Sequence, residues 1–253
     1  MRIVSLTCSN TEIVCALGGA DLLVGVDDHS DYPEEVVARL PRVGPDLGID
    51  VAKVIALAPD LVLASLTVPG HERVVAELEA AGLPFIAPAP TRLEHVYRDV
   101  RDIGERIGRA AQAEALAREL EDELAVSATP SGNKVLVEWW PKPVIVPGRD
   151  SWASDLIERA GGIGVLAHES VKSRPIRDDE ARALDPDAIV IAWCGVPFDK
   201  YRPDVVYRRP AWQDIAAVRK RQVYCISEAY LGRPGPRLVE GLRALRDMIR
   251  TLR

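Results

Sequence analysis

Long apolar runs are missing from this chain. None approaches the roughly 20 residues that a bilayer-spanning helix needs, which argues against direct membrane insertion. No Lys/Arg-rich cluster is present and the net charge is −6, so there is no electrostatic footprint for nucleic acid, and anionic partners are disfavoured. Only four cysteines occur, Cys8, Cys15, Cys194 and Cys225, with no C-x-x-C spacing. At 253 residues a disulfide framework is not needed, and buried free thiols in a reducing compartment are the expectation. The first strand starts almost at Met1, leaving no room for a charged segment, an apolar segment and a cleavage site, so the chain reads either as cytosolic or as relieved of a leader. Catalytic signatures are absent too: no G-x-S-x-G elbow, P-loop, H-E-x-x-H or dinucleotide fingerprint. The glycine-bounded segment Gly44-Pro45-Asp46-Leu47-Gly48 lacks the spacing of a phosphate loop, and the four histidines form no metal cluster by spacing. The expectation is a non-catalytic protein with no resident cofactor or metal.

What is present is duplication. Ala56–Ala64 and Ala183–Ala192 both pass from a helical end through Pro-Asp into a short apolar strand. In the same order, Ser9-Asn10-Thr11-Glu12 leads to Gly18-Gly19 and Ser151-Trp152-Ala153-Ser154-Asp155 leads to Gly161-Gly162, each reading as a helix with a serine N-cap and a glycine C-cap. Either pair alone is ordinary punctuation; two pairs in one order argue for two similar lobes. In the first lobe, strands are expected at 3–6, 22–26, 61–64 and 84–86, alternating with helices at 11–17, 51–57 and 71–81. In the second, strands are expected at 135–138, 144–146, 189–192 and 223–226, and helices at 151–160, 178–183, 211–215 and 238–252. Such alternation implies parallel sheets covered by helices.

From Leu93 to Val126 no proline interrupts a stripe of Val96, Val100, Ile103, Ile107, Leu116, Leu120 and Leu124. One helix of about 45–50 Å would result. The alternative is two helices broken near Gly108-Arg109-Ala110. The fold class is therefore α/β, two Rossmann-like lobes with parallel sheets joined by one long helix, with boundaries at 1–92, 93–127 and 128–253.

Aromatic residues are unevenly spread. All five tryptophans, Trp139, Trp140, Trp152, Trp193 and Trp212, fall in the second lobe, with Tyr230 just beyond its last strand. Neighbouring residues on a strand face opposite ways, so Trp139 and Trp140 cannot both enter one core face. At least one is expected in a ligand crevice, where aromatic walls suit a large, partly apolar ligand. His29 follows a strand end and is a candidate for the same crevice, whereas His95 reads as a surface residue.

With these residues in view, the chain resembles the substrate-binding proteins of ABC importers for vitamin B12, ferric siderophores and haem. Residues 2–12, Val24-Gly25-Val26, Ser30-Asp31-Tyr32-Pro33, Leu40-Pro41-Arg42-Val43-Gly44 and Leu57-Ala58-Pro59-Asp60-Leu61-Val62 follow that family's order, and the cobalamin branch is the nearest likeness. The resemblance implies a monomer outside the cytoplasm, whose partners are a corrinoid or iron-chelate small molecule and an ABC transporter permease. It places the ligand between the lobes, against Cys8, Ser9, Asn10, His29, Tyr32, Ser65, Leu66, Trp139, Trp140, Trp152, Ser173, Arg174, Trp193, Glu228 and Tyr230. Cys8 stands where the family often has proline, and Ser65-Leu66 offers no aromatic where the cobalamin binder has tryptophan. A ferric siderophore, with Arg174 meeting an anionic chelate, haem, and a cytosolic corrinoid carrier are the alternatives. The family's docking acids correspond to Glu72 and, through the internal repeat, to Asp199, with Asp204 as runner-up.

Overall fold

A computed structural model describes residues 1–125 and 128–252. By contact the chain divides into two units, one of residues 1–90 with 94–121, the other of 91–93 with 122–252.

The first unit holds β1 (Ile3–Ser5), α1 (Cys8–Ala16), β2 (Leu23–Val26), α2 (Glu34–Val37), α3 (Val51–Ala56), β3 (Leu61–Leu63), α4 (His71–Ala80), β4 (Phe85–Ile86) and most of α5 (Leu93–Arg106) and α6 (Ala110–Glu123). Its four strands are parallel in the order β2-β1-β3-β4. The second unit holds β5 (Lys134–Glu138), β6 (Trp140–Pro141), β7 (Val144–Pro147), α7 (Trp152–Arg159), β8 (Ile163–Gly164), β9 (Ser173–Ile176), α8 (Asp178–Leu184), β10 (Ala188–Ile191), α9 (Asp204–Tyr207), α10 (Ala216–Arg219), β11 (Val223–Cys225), α11 (Glu228–Leu231) and α12 (Leu238–Thr251). Its parallel sheet runs β8-β5-β10-β11, which in chain order is the topology of the first sheet.

The repeated Pro-Asp has a physical reason. The Arg2 N–H donates to Asp60 Oδ2 at 2.6 Å and the Asp60 N–H returns to the Arg2 carbonyl at 2.8 Å. In the second unit the Lys134 N–H donates to Asp187 Oδ2 at 2.9 Å, and the Asp187 N–H to the Lys134 carbonyl at 2.8 Å. Each aspartate thereby aligns β1 with β3, or β5 with β10. The residue two before it, Ala58 or Asp185, takes a positive φ of 44° or 42°. The paired glycines also match. Gly18 and Gly161 sit at φ +70° and +88°, and Gly19 and Gly162 donate to Val14 and Ile157 carbonyls, each at 2.9 Å, closing α1 and α7 with the same Schellman turn.

Several expectations need correction. The 93–127 segment is not one helix: Gly108, at φ +71°, ends α5 with the same turn, and Arg109 donates back to the Gly104 carbonyl at 2.7 Å. Val126 and Ser127 lie outside the described residues. The apolar stripe is real but folded, because α6 returns along α5: Arg101 reaches Glu114 at 2.8 Å and Glu121 at 2.9 Å. A Cβ on Gly104 would stand 2.1 Å from that of Ala113, so glycine permits the close crossing. α1 begins at Cys8 with Thr7 as N-cap, not at Ser9, whereas Ser151 caps α7 as expected, its hydroxyl accepting from the Ala153 N–H. Residues 210–212 form a 3-10 turn and the helix follows at 216–219. The 144–146 strand joins no parallel sheet; β7 pairs antiparallel with β6 and β9 in a third small sheet.

On α5, Asp99 is 6 % exposed, and its Oδ2 has no hydrogen-bond partner among the described residues. Burial pushes its pKa up to about 6, against the opposing pull of Arg98. A carboxyl raised in the folded state binds more protons there than in the unfolded chain, so its contribution to stability falls as pH rises from about 4 to 6. Asp99→Asn should therefore raise stability by about 1–2 kcal/mol at pH 7 and by little at pH 4. Urea denaturation at the two pH values checks it, and a gain of equal size at both would refute the assignment. Gly18→Ala should cost about 1 kcal/mol through its φ alone, since no atom stands near the added carbon. Gly161→Ala should cost more, because the new carbon would lie 2.7 Å from the Thr129 carbonyl oxygen; the order of the two urea midpoints decides it.

Candidate functional site

In a parallel sheet the loops leaving the carboxyl ends of the strands are the ones free to meet a ligand. In the first unit three such loops are tied together. Cys8, on the first turn of α1, donates its thiol hydrogen to the His29 carbonyl at 3.0 Å, joining the loops after β1 and β2. Asn10, buried, donates to the Ala64 carbonyl at 2.7 Å, joining those after β1 and β3. Beneath them Asp27 is fully buried at the end of β2, and accepts from the Ser30 hydroxyl at 2.5 Å and the His29 N–H at 2.9 Å. Burial pushes the Asp27 carboxyl above its usual range, opposed by those same bonds. Ser30 continues through Thr11, at 2.9 Å, to Ser5. The polar residues are thus a closed network that fixes loop shape.

Of the expected ligand residues here, Cys8, Ser9, Asn10, His29, Ser65 and Leu66 fall on these connected loops. Ser9 and Ser65 are buried, and the Ser65 hydroxyl accepts from the Thr67 N–H at 3.3 Å. Tyr32 stands 47 % exposed just after them. Sequence reasoning passed over Asp46, which the fold sets between two imidazoles: His71 Nε2 at 3.4 Å and His29 Nε2 at 3.8 Å. The His71 hydrogen bond is the main cause holding the Asp46 carboxyl below its usual range, against partial burial. Its signal in the sequence was the Gly44–Gly48 segment, whose two glycines mark a tight loop.

In the second unit most of the tryptophans belong to the packing. Trp193 lies in the core and donates its indole N–H to Glu138 Oε1 at 2.8 Å. Glu138, fully buried at the end of β5, also takes both Arg209 nitrogens at 2.6 and 2.8 Å. Trp152 donates to the Leu231 carbonyl at 2.8 Å, and Trp139 is buried at the end of β5. Trp140 is 44 % exposed; it opens β6 while Trp139 lies in the bend after β5, so the contrast between the two comes from that bend and not from alternation along one strand. Ser173 and Arg174 lie on β9, and the Arg174 guanidinium is engaged by Glu169, at 2.7 and 2.5 Å, and by Glu180 at 2.5 Å. It is therefore not an unpaired cation waiting for an anionic chelate. Glu228 opens α11 and pairs with Arg233 at 3.2 Å, while Tyr230 packs under Arg237, whose guanidinium carbon is 5.5 Å from the ring centre.

None of the four cysteines is in a disulfide. Burial pushes the Cys15 thiol up to about 11 and raises Cys225 as well, the reverse of an activated nucleophile. Among the described residues no three His, Cys, Asp or Glu side chains are grouped to hold a metal ion. No described helix is long and apolar enough to cross a membrane.

Comparison with known proteins agrees with this architecture. An uncharacterized ABC transporter substrate-binding lipoprotein of Bacillus subtilis, YvrC, is 31 % identical over 98 % of this chain and 79 % of its own length. A vitamin B12-binding protein of Vibrio cholerae is 25 % identical over 95 % of this chain and 86 % of its own. The apo structure of RhuT, a periplasmic heme-binding protein from Roseiflexus sp. RS-1, superimposes with a TM-score of 0.81 at 27 % identity, covering 98 % of both chains. The family match runs from the first residue of β1 through Tyr230, taking in both parallel sheets and every loop described above, and the chain belongs to the periplasmic binding protein family.

Proposed function

We propose that the protein acts outside the cytoplasmic membrane as a monomeric receptor for a corrinoid of the cobalamin type, which it delivers to an ABC importer. Curated relatives named as vitamin B12-binding proteins, matching most of the chain, support the ligand class. The observation that favours a corrinoid over a ferric siderophore is the state of Arg174. Its charge is taken up by Glu169 and Glu180, and an anionic chelate would have to displace both carboxylates. A corrinoid asks instead for apolar contact area, and each unit carries an exposed ring near a strand end that suits it, Tyr32 in the first and Trp140 in the second. No bond is made or broken in this reading.

Haem is the second reading. His29 favours it, since its side chain is 48 % exposed on a ligand-facing loop and an imidazole can bind haem iron.

Titration with cyanocobalamin, haemin and a ferric hydroxamate, followed by tryptophan fluorescence, tests the proposal. Cyanocobalamin should bind most tightly, and Tyr32→Ala and Trp140→Ala should each weaken it by about 1–3 kcal/mol. Full affinity in both variants would reject the aromatic contact surface. Tightest binding by haemin, abolished in His29→Ala, would transfer the protein to the haem reading.

We also propose Glu72 and Asp199 as the acids that engage the permease. Both are exposed: Glu72 stands in the first turn of α4 and Asp199 in a 3-10 turn. Charge reversal at both positions should leave ligand affinity unchanged and slow association with the cognate permease by about tenfold or more, because rim charges act chiefly on encounter. Surface plasmon resonance against the reconstituted permease measures it, and an unchanged association rate would remove the docking role.

A further inference from the structure

The segment 44–48 connects two regions that the proposed function treats separately. On one side it is bonded to the loop after β2. Asp28 donates its N–H to the Gly44 carbonyl at 2.9 Å, the Gly44 N–H returns to Asp28 Oδ1 at 3.2 Å, and Asp46 Oδ1 faces His29 Nε2 at 3.8 Å. On the other side it is bonded to the start of α4. Asp46 Oδ2 faces His71 Nε2 at 3.4 Å, and the Arg73 guanidinium donates to the Leu47 carbonyl at 2.5 Å. Leu47 also packs so closely under Gly70 that a Cβ there would meet its Cδ2 at 3.2 Å. The Val68 N–H points at His71 Nδ1, at 3.4 Å, which leaves Nε2 as the protonated nitrogen and Asp46 as its acceptor.

The two histidines differ in kind. The side chain of His71 is 4 % exposed and that of His29 is 48 % exposed, so one imidazole is held by the fold and the other is free to answer to a ligand. Asp46 is 31 % exposed and offers a separate oxygen to each. His29 Nε2, 3.8 Å from Oδ1, is beyond hydrogen-bond distance and acts on the carboxylate through its charge when protonated, whereas His71 holds the other oxygen by a hydrogen bond. A carboxylate placed in this way couples the two rings, because a charge beside one oxygen alters the acceptor that His71 uses.

We infer that the 44–48 segment is a coupling strap with Asp46 as its positioning residue, through which occupancy of the loop at His29–Tyr32 resets the first turn of α4, where Glu72 stands. The inference rests on the proposed receptor function for its biological meaning, but the coupling itself is a property of the first unit. The chain already holds Glu72 in a defined pose, its Oε2 accepting from the Gly70 N–H at 2.8 Å, so a shift of this turn moves the acid.

A double-mutant cycle in the full-length protein decides it without any ligand. His29→Ala should change amide hydrogen exchange at residues 70–73 by about threefold or more and shift the NMR resonances of the His71 ring. In an Asp46→Ala background the same His29→Ala change should have no effect on either readout. Asp46→Asn, which keeps the side chain's shape, replaces Asp46→Ala should that variant fail to fold. No response to His29→Ala in the otherwise unaltered chain overturns the strap, and so does an equal response in both backgrounds. A second arm adds cyanocobalamin or haemin. Protection of residues 70–73 by a bound probe should require Asp46. Failure of both probes to bind would count against the receptor reading, while the ligand-free cycle would still decide for or against the strap.

Discussion

Each unit is organised around one carboxylate, Asp60 or Asp187, that accepts the backbone N–H at the start of an interior strand and donates its own N–H back to the same residue. The exchange sets which residue of β1 lies beside which of β3, and likewise for β5 and β10. A slip of one position would turn every apolar side chain of Ile189–Ile191 to the opposite face and redirect the loops that follow. Asp27 and Glu138, at the far ends of β2 and β5, can be buried only because the strands beneath them are in register. The duplicated Leu-x-Pro-Asp is therefore the device on which loop placement depends.

The two units use the same topology for different local chemistry. In the first, the carboxyl-end loops are joined by hydroxyls, an amide and carboxylates, a network in which Asp27, Ser30, Thr11 and Ser5 satisfy one another. In the second, the comparable positions are filled with large rings that each find one acceptor, as Trp193 finds Glu138 and Trp152 the Leu231 carbonyl. A buried indole is anchored by one N–H and otherwise packs by area; a hydroxyl network needs every member paired. That difference shows one duplicated plan closing its strand ends with a polar network in one half and with buried rings in the other.

Short-range signals carried far in this sequence. Pro-Asp before an apolar triplet, Gly-Gly after a helix and the alternation of strand and helix all act within about ten residues, and the elements they specify are present with small changes at their ends. The stripe on 93–124 was legible too, but its continuity was not, since periodicity is unchanged whether a helix runs on or folds back. Gly108 permits both courses. What decides is the fit of Gly104 against Ala113 and the reach of Arg101 to Glu114 and Glu121, contacts between residues that no local pattern relates.

For the site the same division holds. The sequence by itself determined that the chain is a duplicated α/β protein and that His29 follows a strand end, and its resemblance to a known family gave the importer-receptor type with Cys8, Asn10 and Ser65 in the ligand loops. The duplication and the strand ends follow from chain order, the rest from the resemblance. Only the tertiary structure decided that Trp193 is core, that Arg174 is claimed by two glutamates and that Asp46 lies between His29 and His71. Each of those outcomes is a pairing of side chains whose partners are fixed by strand register and loop closure, and a pattern along one chain carries no information about which charge a neighbouring loop has already neutralised.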